Sequence, residues 1–160
     1  MIITGIYISL EHNFYGHHGQ QPGEAPIVEV NEVECVAGRG LRGDRFFDYK
    51  DDYKGQITFF SEEVFENLCE RLHITGKHIS ETRRNVIVRG VDLNSLIGHD
   101  FEVQGVRFRA SGECKPCHWM NHAIADGAED ALHRAGGLRA RILSDGVLRP
   151  GAGELNFIDD

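Results

Sequence analysis

No apolar run in this chain approaches the 18 residues that a membrane-crossing helix requires, so no transmembrane segment is expected. The start, Met1-Ile2-Ile3-Thr4-Gly5, has neither a basic region nor a long apolar stretch, so a secretory signal is not expected either. Cysteine is scarce. The four residues Cys35, Cys69, Cys114 and Cys117 are too few and too scattered for a disulfide scaffold. Together these absences predict a reducing, cytoplasmic setting. Positive charge is also short: the formal net charge of −8 places a nucleic-acid binder behind other classes. Repeats, low-complexity tracts and linkers are missing, and 160 residues suit one domain spanning residues 1–160. A chain of that size buries roughly 70% of its unfolded surface, enough for a core without staples.

What is present reads as many short strands with a few helices. Ile2–Ile8 predicts a first strand. Glu11–Glu24 is polar and rich in glycine and histidine, and predicts a long surface loop. Ile27–Val36 alternates apolar and acidic residues and predicts one longer strand with a bulge. Gly38–Asp44 is a glycine-rich turn, and Asp48–Lys54 is charged and exposed. Gln56–Phe60 predicts a strand running into a helix capped by Ser61. Glu62 and Glu63 fall in its first turn, and Phe65, Leu68, Cys69 and Leu72 lie on its apolar face. Asn85–Val88 predicts a strand, and Gln104-Gly105 joins a hairpin of Phe101–Val103 with Val106–Ala110. A helix over Ala128–Ala135 stopped by Gly136-Gly137, a strand over Leu138–Leu143 and a final strand over Leu155–Ile158 complete the pattern. The fold class expected is β-rich, mixed α+β and barrel-like, without the βαβ alternation of a doubly wound sheet.

Glu113-Cys114-Lys115-Pro116-Cys117-His118-Trp119 is the segment richest in chemistry. Two thiols three residues apart, followed by an imidazole, allow disulfide exchange, zinc ligation, haem attachment, or a thiolate holding sulfur or a soft metal. Haem attachment belongs to exported helical proteins, which this chain does not resemble. Disulfide exchange of the thioredoxin kind needs a helix opening at the motif, and the helical pattern starts only near Ile124. Zinc needs four ligands. Cys114, Cys117, His118 and His122 supply that number only from one cramped stretch. Gly38-Arg39-Gly40-Leu41-Arg42-Gly43 matches a dinucleotide fingerprint in letters but lacks the helix that would hold a pyrophosphate. His12, His17 and His18 read as a solvated loop rather than a metal cluster. Arg83-Arg84-Asn85 pairs two guanidiniums with an amide before a strand, a combination suited to phosphate or carboxylate.

In order along the chain, Gly40-Leu41-Arg42-Gly43-Asp44-Arg45, Gln56-Ile57-Thr58, Arg83-Arg84-Asn85, Gly90-Val91-Asp92-Leu93 with Leu96-Ile97-Gly98, Glu113–Cys117 and Gly146-Val147-Leu148-Arg149 resemble the MOSC domain, named for the C-terminal region of molybdenum-cofactor sulfurases. The resemblance runs from about Ile27 to Phe157 and is that of a small stand-alone member, without the pyridoxal-phosphate desulfurase domain. Gly151-Ala152-Gly153-Glu154 departs from the Gly-Asp that many relatives carry there.

The resemblance implies a cysteine that holds sulfur or the molybdenum of a pterin cofactor. Cys117 matches that position, and Cys114 stands beside it as a helper or second thiol. Arg83, Arg84 and Asn85 match the motif near the pterin phosphate. Gly43, Asp44 and Arg45 match the opposite edge, and Lys115 and His118 bring positive charge beside the thiolate. Soft thiolates suit molybdenum as they suit sulfane sulfur. The implied activity is reduction of N-hydroxylated small molecules with electrons from a partner reductase. One alternative is a persulfide carrier fed by a sulfur donor protein. Another is a non-catalytic zinc-binding or interaction domain. Pairing of two copies through sheet edges is a further expectation.

Overall fold

The computed structural model describes residues 1–13 and 23–158, so His17 and His18 lie outside the described residues. The strands are β1 (Ile2–Ile8), β2 (Val28–Glu29), β3 (Val33–Val36), β4 (Gly40–Leu41), β5 (Ile57–Ser61), β6 (Val86–Arg89), β7 (Asp100–Val103), β8 (Val106–Glu113), β9 (Leu138–Ile142), β10 (Gly146–Leu148), β11 (Gly151–Ala152) and β12 (Leu155–Ile158). Three short α-helices join them: α1 (Glu62–Arg71), α2 (His118–Ala123) and α3 (Ala128–Ala131). The class is β-rich, mixed α+β.

The larger sheet runs β11-β1-β6-β5-β9-β8-β7-β12, with β2 also on β1, and the smaller runs β10-β3-β4. The larger sheet is open: its end strands β11 and β12 do not pair with each other, so the β-rich, mixed α+β expectation holds but the sheets do not close into a barrel. The predicted strand over Ile27–Val36 is in fact two. β2 pairs with the end of β1, whereas β3 crosses to the smaller sheet between β10 and β4. Asn31-Glu32, exposed between them, lets the chain change sheets. One parallel pair is also present. β5 lies parallel to β6, and α1 is the crossover between them.

β5 and β6 are buried on both faces, which is why they read as continuous apolar runs. Ile57, Phe59, Val86 and Val88 face a core shared with Phe101, Phe108 and Leu148. Phe59 meets Phe101 and Phe108 at ring distances of 5.8 and 5.4 Å. Phe60 and Ile87 face the other way, towards Phe65, Leu68, Met120, Ile124 and Leu132 of the helical layer. Ser61 caps α1 as its sequence demands, its hydroxyl accepting the amide of Val64 at 3.3 Å. Gln104 and Gly105 both have positive φ, the geometry of a tight hairpin whose twist matches its strands.

α2 is the element the sequence pattern concealed. His118, Trp119, Asn121 and His122 are indifferent helix formers, and the N-terminal residue Cys117 makes no capping bond with its side chain. Burial of Met120 and Ile124 against Phe60 and Leu132 supplies the stability that propensity does not. A helix therefore does begin directly after Cys117, contrary to the expectation of a later start.

Candidate functional site

Four segments far apart in sequence meet at one pocket of about 160 Å³. Its lining includes Arg45, Arg83, Arg84, Cys117, His12 and Trp119. The ends of β1 and β4, the start of β6 and the turn into α2 deliver them.

Asp44 organises the first edge from behind. Its side chain is fully buried and accepts the amides of Ser9 (3.1 Å) and Phe46 (3.2 Å), with Arg45 Nη1 and Asn85 Nδ2 at 3.4 Å each. Gly43, with φ of 87°, makes the turn before it in a backbone conformation that favours glycine. Asn85 is buried too. Its Oδ1 accepts the amide and hydroxyl of Thr58 at 3.0 Å, and its Nδ2 donates to the Tyr7 carbonyl at 3.2 Å. Asn85 thus knits β1, β5 and β6 together behind the pocket and does not line it.

The two adjacent arginines have different tasks. Arg83 is buried and donates to the Ala25 carbonyl (3.1 Å), the Ser9 hydroxyl (2.8 Å) and the Glu11 carbonyl (2.8 Å). Those bonds hold it in the left-handed region at φ 57°, an uncommon place for a side chain of this size. Burial, helped by the Arg45 charge, brings its guanidinium down to about 10. Arg84 reaches the other way and donates to the carbonyls of Gly136 (2.9 Å), Thr82 (3.3 Å) and Cys114 (3.3 Å). Arg45 has only long contacts, to Asp44 and to the Arg83 carbonyl at 3.4 Å, and its guanidinium sits over the Phe46 ring. Burial lowers its pKa while Asp44 opposes the shift. Among the described residues, the one carboxylate ion-paired with any of these three cations is Asp44, which pairs with Arg45. A positive pocket therefore stands in an acidic protein, and like charges held out of water favour an incoming anion.

The cysteines lie on the opposite wall. A bulge between Ala110 and Gly112 shifts the register of the β8–β9 ladder, which resumes and runs to Glu113, where the chain leaves the sheet for the Cys114–Cys117 segment. Cys114 is half-buried, its amide bonded to the Gly137 carbonyl at 2.7 Å, and its thiol lies near enough to Arg45 and Tyr53 to act on both electrostatically. Cys117 is exposed and lines the pocket. Gly136 explains how the segment seats. A β-carbon there would lie 2.7 Å from Pro116 Cδ and 2.8 Å from its nitrogen, and closer still to the Cys114 carbonyl oxygen.

Of the residues singled out from sequence, Arg45, Arg83, Arg84 and Cys117 meet at the pocket, while Gly43, Asp44 and Asn85 shape it from behind. Lys115 points elsewhere, into a separate cavity with Glu113, Glu129, Asp130 and His133. Among the described residues, no group of three or more His, Cys, Asp or Glu is arranged to hold a metal by itself, so Cys114, Cys117, His118 and His122 do not converge as zinc ligands. Of the other lining residues, none of which the sequence reading assigned to the site, His12 and Trp119 carry the most chemistry. His12 packs edge-on against Phe46 at 4.9 Å, and burial and Arg45 lower its pKa. Trp119 closes the far side, its indole N–H donating to the Glu81 carbonyl at 3.4 Å. Only a histidine in a glycine-rich loop and an aromatic beside the second cysteine hinted at them. No helix among the described residues is long and apolar enough to cross a membrane.

No curated protein matches the chain in sequence. Solved structures share its fold. The YuaD protein from Bacillus subtilis superposes with a TM-score of 0.75 at 17% identity, over 96% of this chain and 93% of that one. YiiM from Geobacillus stearothermophilus gives 0.69 at 16%, over 99% and 75%, and YiiM from Escherichia coli gives 0.62 at 13%, over 100% and 71%. The family model described as the MOSC domain matches residues 17–153, so the chain belongs to the MOSC domain family.

Proposed function

We propose that the pocket binds the anionic molybdenum–pterin cofactor, with Cys117 as the soft ligand to the metal, and that the protein reduces N-hydroxylated small molecules with electrons from a partner reductase. The observation that carries this reading is the placement of an exposed thiol opposite three guanidiniums in a chain of net charge −8. The donor set fits the group: a thiolate suits the metal, and forked cations suit a phosphate. Arg45 would supply the phosphate anchor, because its donors are the least engaged of the three. Arg84 would add charge from the side while its own bonds hold the cysteine wall. When bound, the metal would supply the two-electron chemistry, with the protein supplying binding and orientation. Trp119 and Phe46 would add aromatic surface for the pterin, since both line the pocket. A cytoplasmic, reducing setting belongs to this reading, since Cys117 must stay a thiol.

Molybdenum and pterin analysis of protein made in cells with intact cofactor synthesis tests it. Near-stoichiometric molybdenum in the parent chain and its loss in Cys117→Ala are expected. Full retention of both in that variant would overturn the assignment.

A further inference from the structure

The cysteine segment has a second thiol that ligation of one metal does not use. Four facts bear on its use. The two thiols are three residues apart, in an irregular stretch between the end of β8 and the start of α2. The Cys114 backbone is clamped at both sides, by the Gly137 carbonyl at 2.7 Å and by Arg84 at 3.3 Å. Cys117 is exposed and its side chain makes no capping bond. Cys117 shares the pocket lining with Arg45 and Arg84, and Arg84 is the residue that grips the Cys114 carbonyl. The remaining cysteines are poor competitors. Cys35 is buried and its thiol is pushed up to about 12, and burial also raises Cys69 on α1. Thiol chemistry in this molecule is thus concentrated on an exposed acceptor and an anchored neighbour, at a separation that short disulfide loops span routinely.

We propose that Cys114 is the resolving thiol of Cys117: sulfane sulfur taken up on Cys117 leaves as hydrosulfide when Cys114 attacks, and a Cys114–Cys117 disulfide remains. The Cys114 sulfur bonds to the inner sulfur of the Cys117 persulfide. The bond between inner and outer sulfur breaks, and the outer sulfur departs with the electron pair. The outer sulfur is reduced to sulfide while the two cysteine sulfurs are oxidised to the disulfide. The departing sulfur keeps its own proton and leaves as hydrosulfide, and the proton that Cys114 gives up on becoming the attacking thiolate goes to solvent. A small dithiol reductant restores both thiols. The substrate class is therefore inorganic polysulfide or a low-molecular-weight persulfide. The disulfide also withdraws the Cys117 thiolate from the pocket until it is reduced. The inference rests on Cys117 as the working thiol and requires no bound cofactor.

The test treats the reduced full chain, free of pterin, with inorganic polysulfide, then follows hydrosulfide release and the mass of the Cys114–Cys117 peptide without reductant. The parent chain is expected to release hydrosulfide and lose two hydrogens in that peptide. Cys114→Ser should hold one extra sulfur on Cys117 and release hydrosulfide at least about tenfold more slowly. Cys117→Ser should do neither. A parent chain that keeps its extra sulfur with no Cys114–Cys117 disulfide overturns the proposal whatever the variants do, while leaving Cys117 as the reactive thiol. Polysulfide that never modifies Cys117 overturns the proposal together with the choice of Cys117.

Discussion

Arg84 Nη2 donates to the main-chain carbonyl of Cys114 at 3.3 Å, so a residue of the cationic wall directly holds the thiol wall. The same guanidinium also grips the Gly136 and Thr82 carbonyls. Arg84→Met is expected to cost about 1–2 kcal/mol in urea unfolding, the usual range for hydrogen bonds from a partly exposed charged group. It should also free the loop, seen as faster alkylation of Cys114 by iodoacetamide. An unchanged alkylation rate would show that Arg84 does not hold that segment.

Gly136→Ala tests the seat beneath the cysteines. The added methyl would meet backbone and a proline ring, neither of which yields easily. A loss of about 1–3 kcal/mol is expected from overpacking, with altered reactivity of Cys117 while the sheet signal in circular dichroism persists. Parent-like stability would mean the segment moves without cost.

Arg83 and Arg45 should separate stability from binding. Arg83→Met takes the guanidinium donor from the Ala25 and Glu11 carbonyls and the Ser9 hydroxyl, and should cost about 2–4 kcal/mol. Arg45→Met removes a buried charge with only long partners, so stability should change little, while affinity for inorganic phosphate falls about tenfold in calorimetry. The reverse pattern would exchange the two roles.

His12 gives the pocket a pH signature. Its folded pKa is lowered, chiefly by burial and then by Arg45, so between that value and the ordinary value near 6.5 the unfolded chain binds more protons. Stability should therefore rise as pH increases through this window and be lost as pH falls below 6.5. His12→Gln should flatten that part of the profile. Proton NMR should show the His12 ring still neutral at a pH where exposed histidines are half-charged.

Elements whose identity rests on local chemistry were legible in the chain. β1, the Ser61-capped α1, the β7–β8 hairpin and β12 follow from alternation, capping and turn residues, and the MOSC resemblance followed from short motifs in fixed order. The split of β2 from β3 was not legible, because an alternating strand does not say which sheet each half joins. α2 was hidden for a related reason: its residues are weak helix formers, and Met120 earns its helix from neighbours distant in sequence.

The sequence by itself determined which groups are available: two thiols three apart, a pair of arginines before a strand, and an aspartate–arginine pair after a glycine turn. Only the tertiary structure decided what each does. Asn85 and Asp44 turned inward to satisfy buried backbone, Arg83 was consumed by three oxygens, Lys115 faced another cavity, and His12 and Trp119 joined the pocket. The physical reason is that a polar side chain reads the same in sequence whether it meets water, a ligand or an unpaired carbonyl. Burial makes that choice, because any buried donor or acceptor left unpaired costs more than the fold can spare.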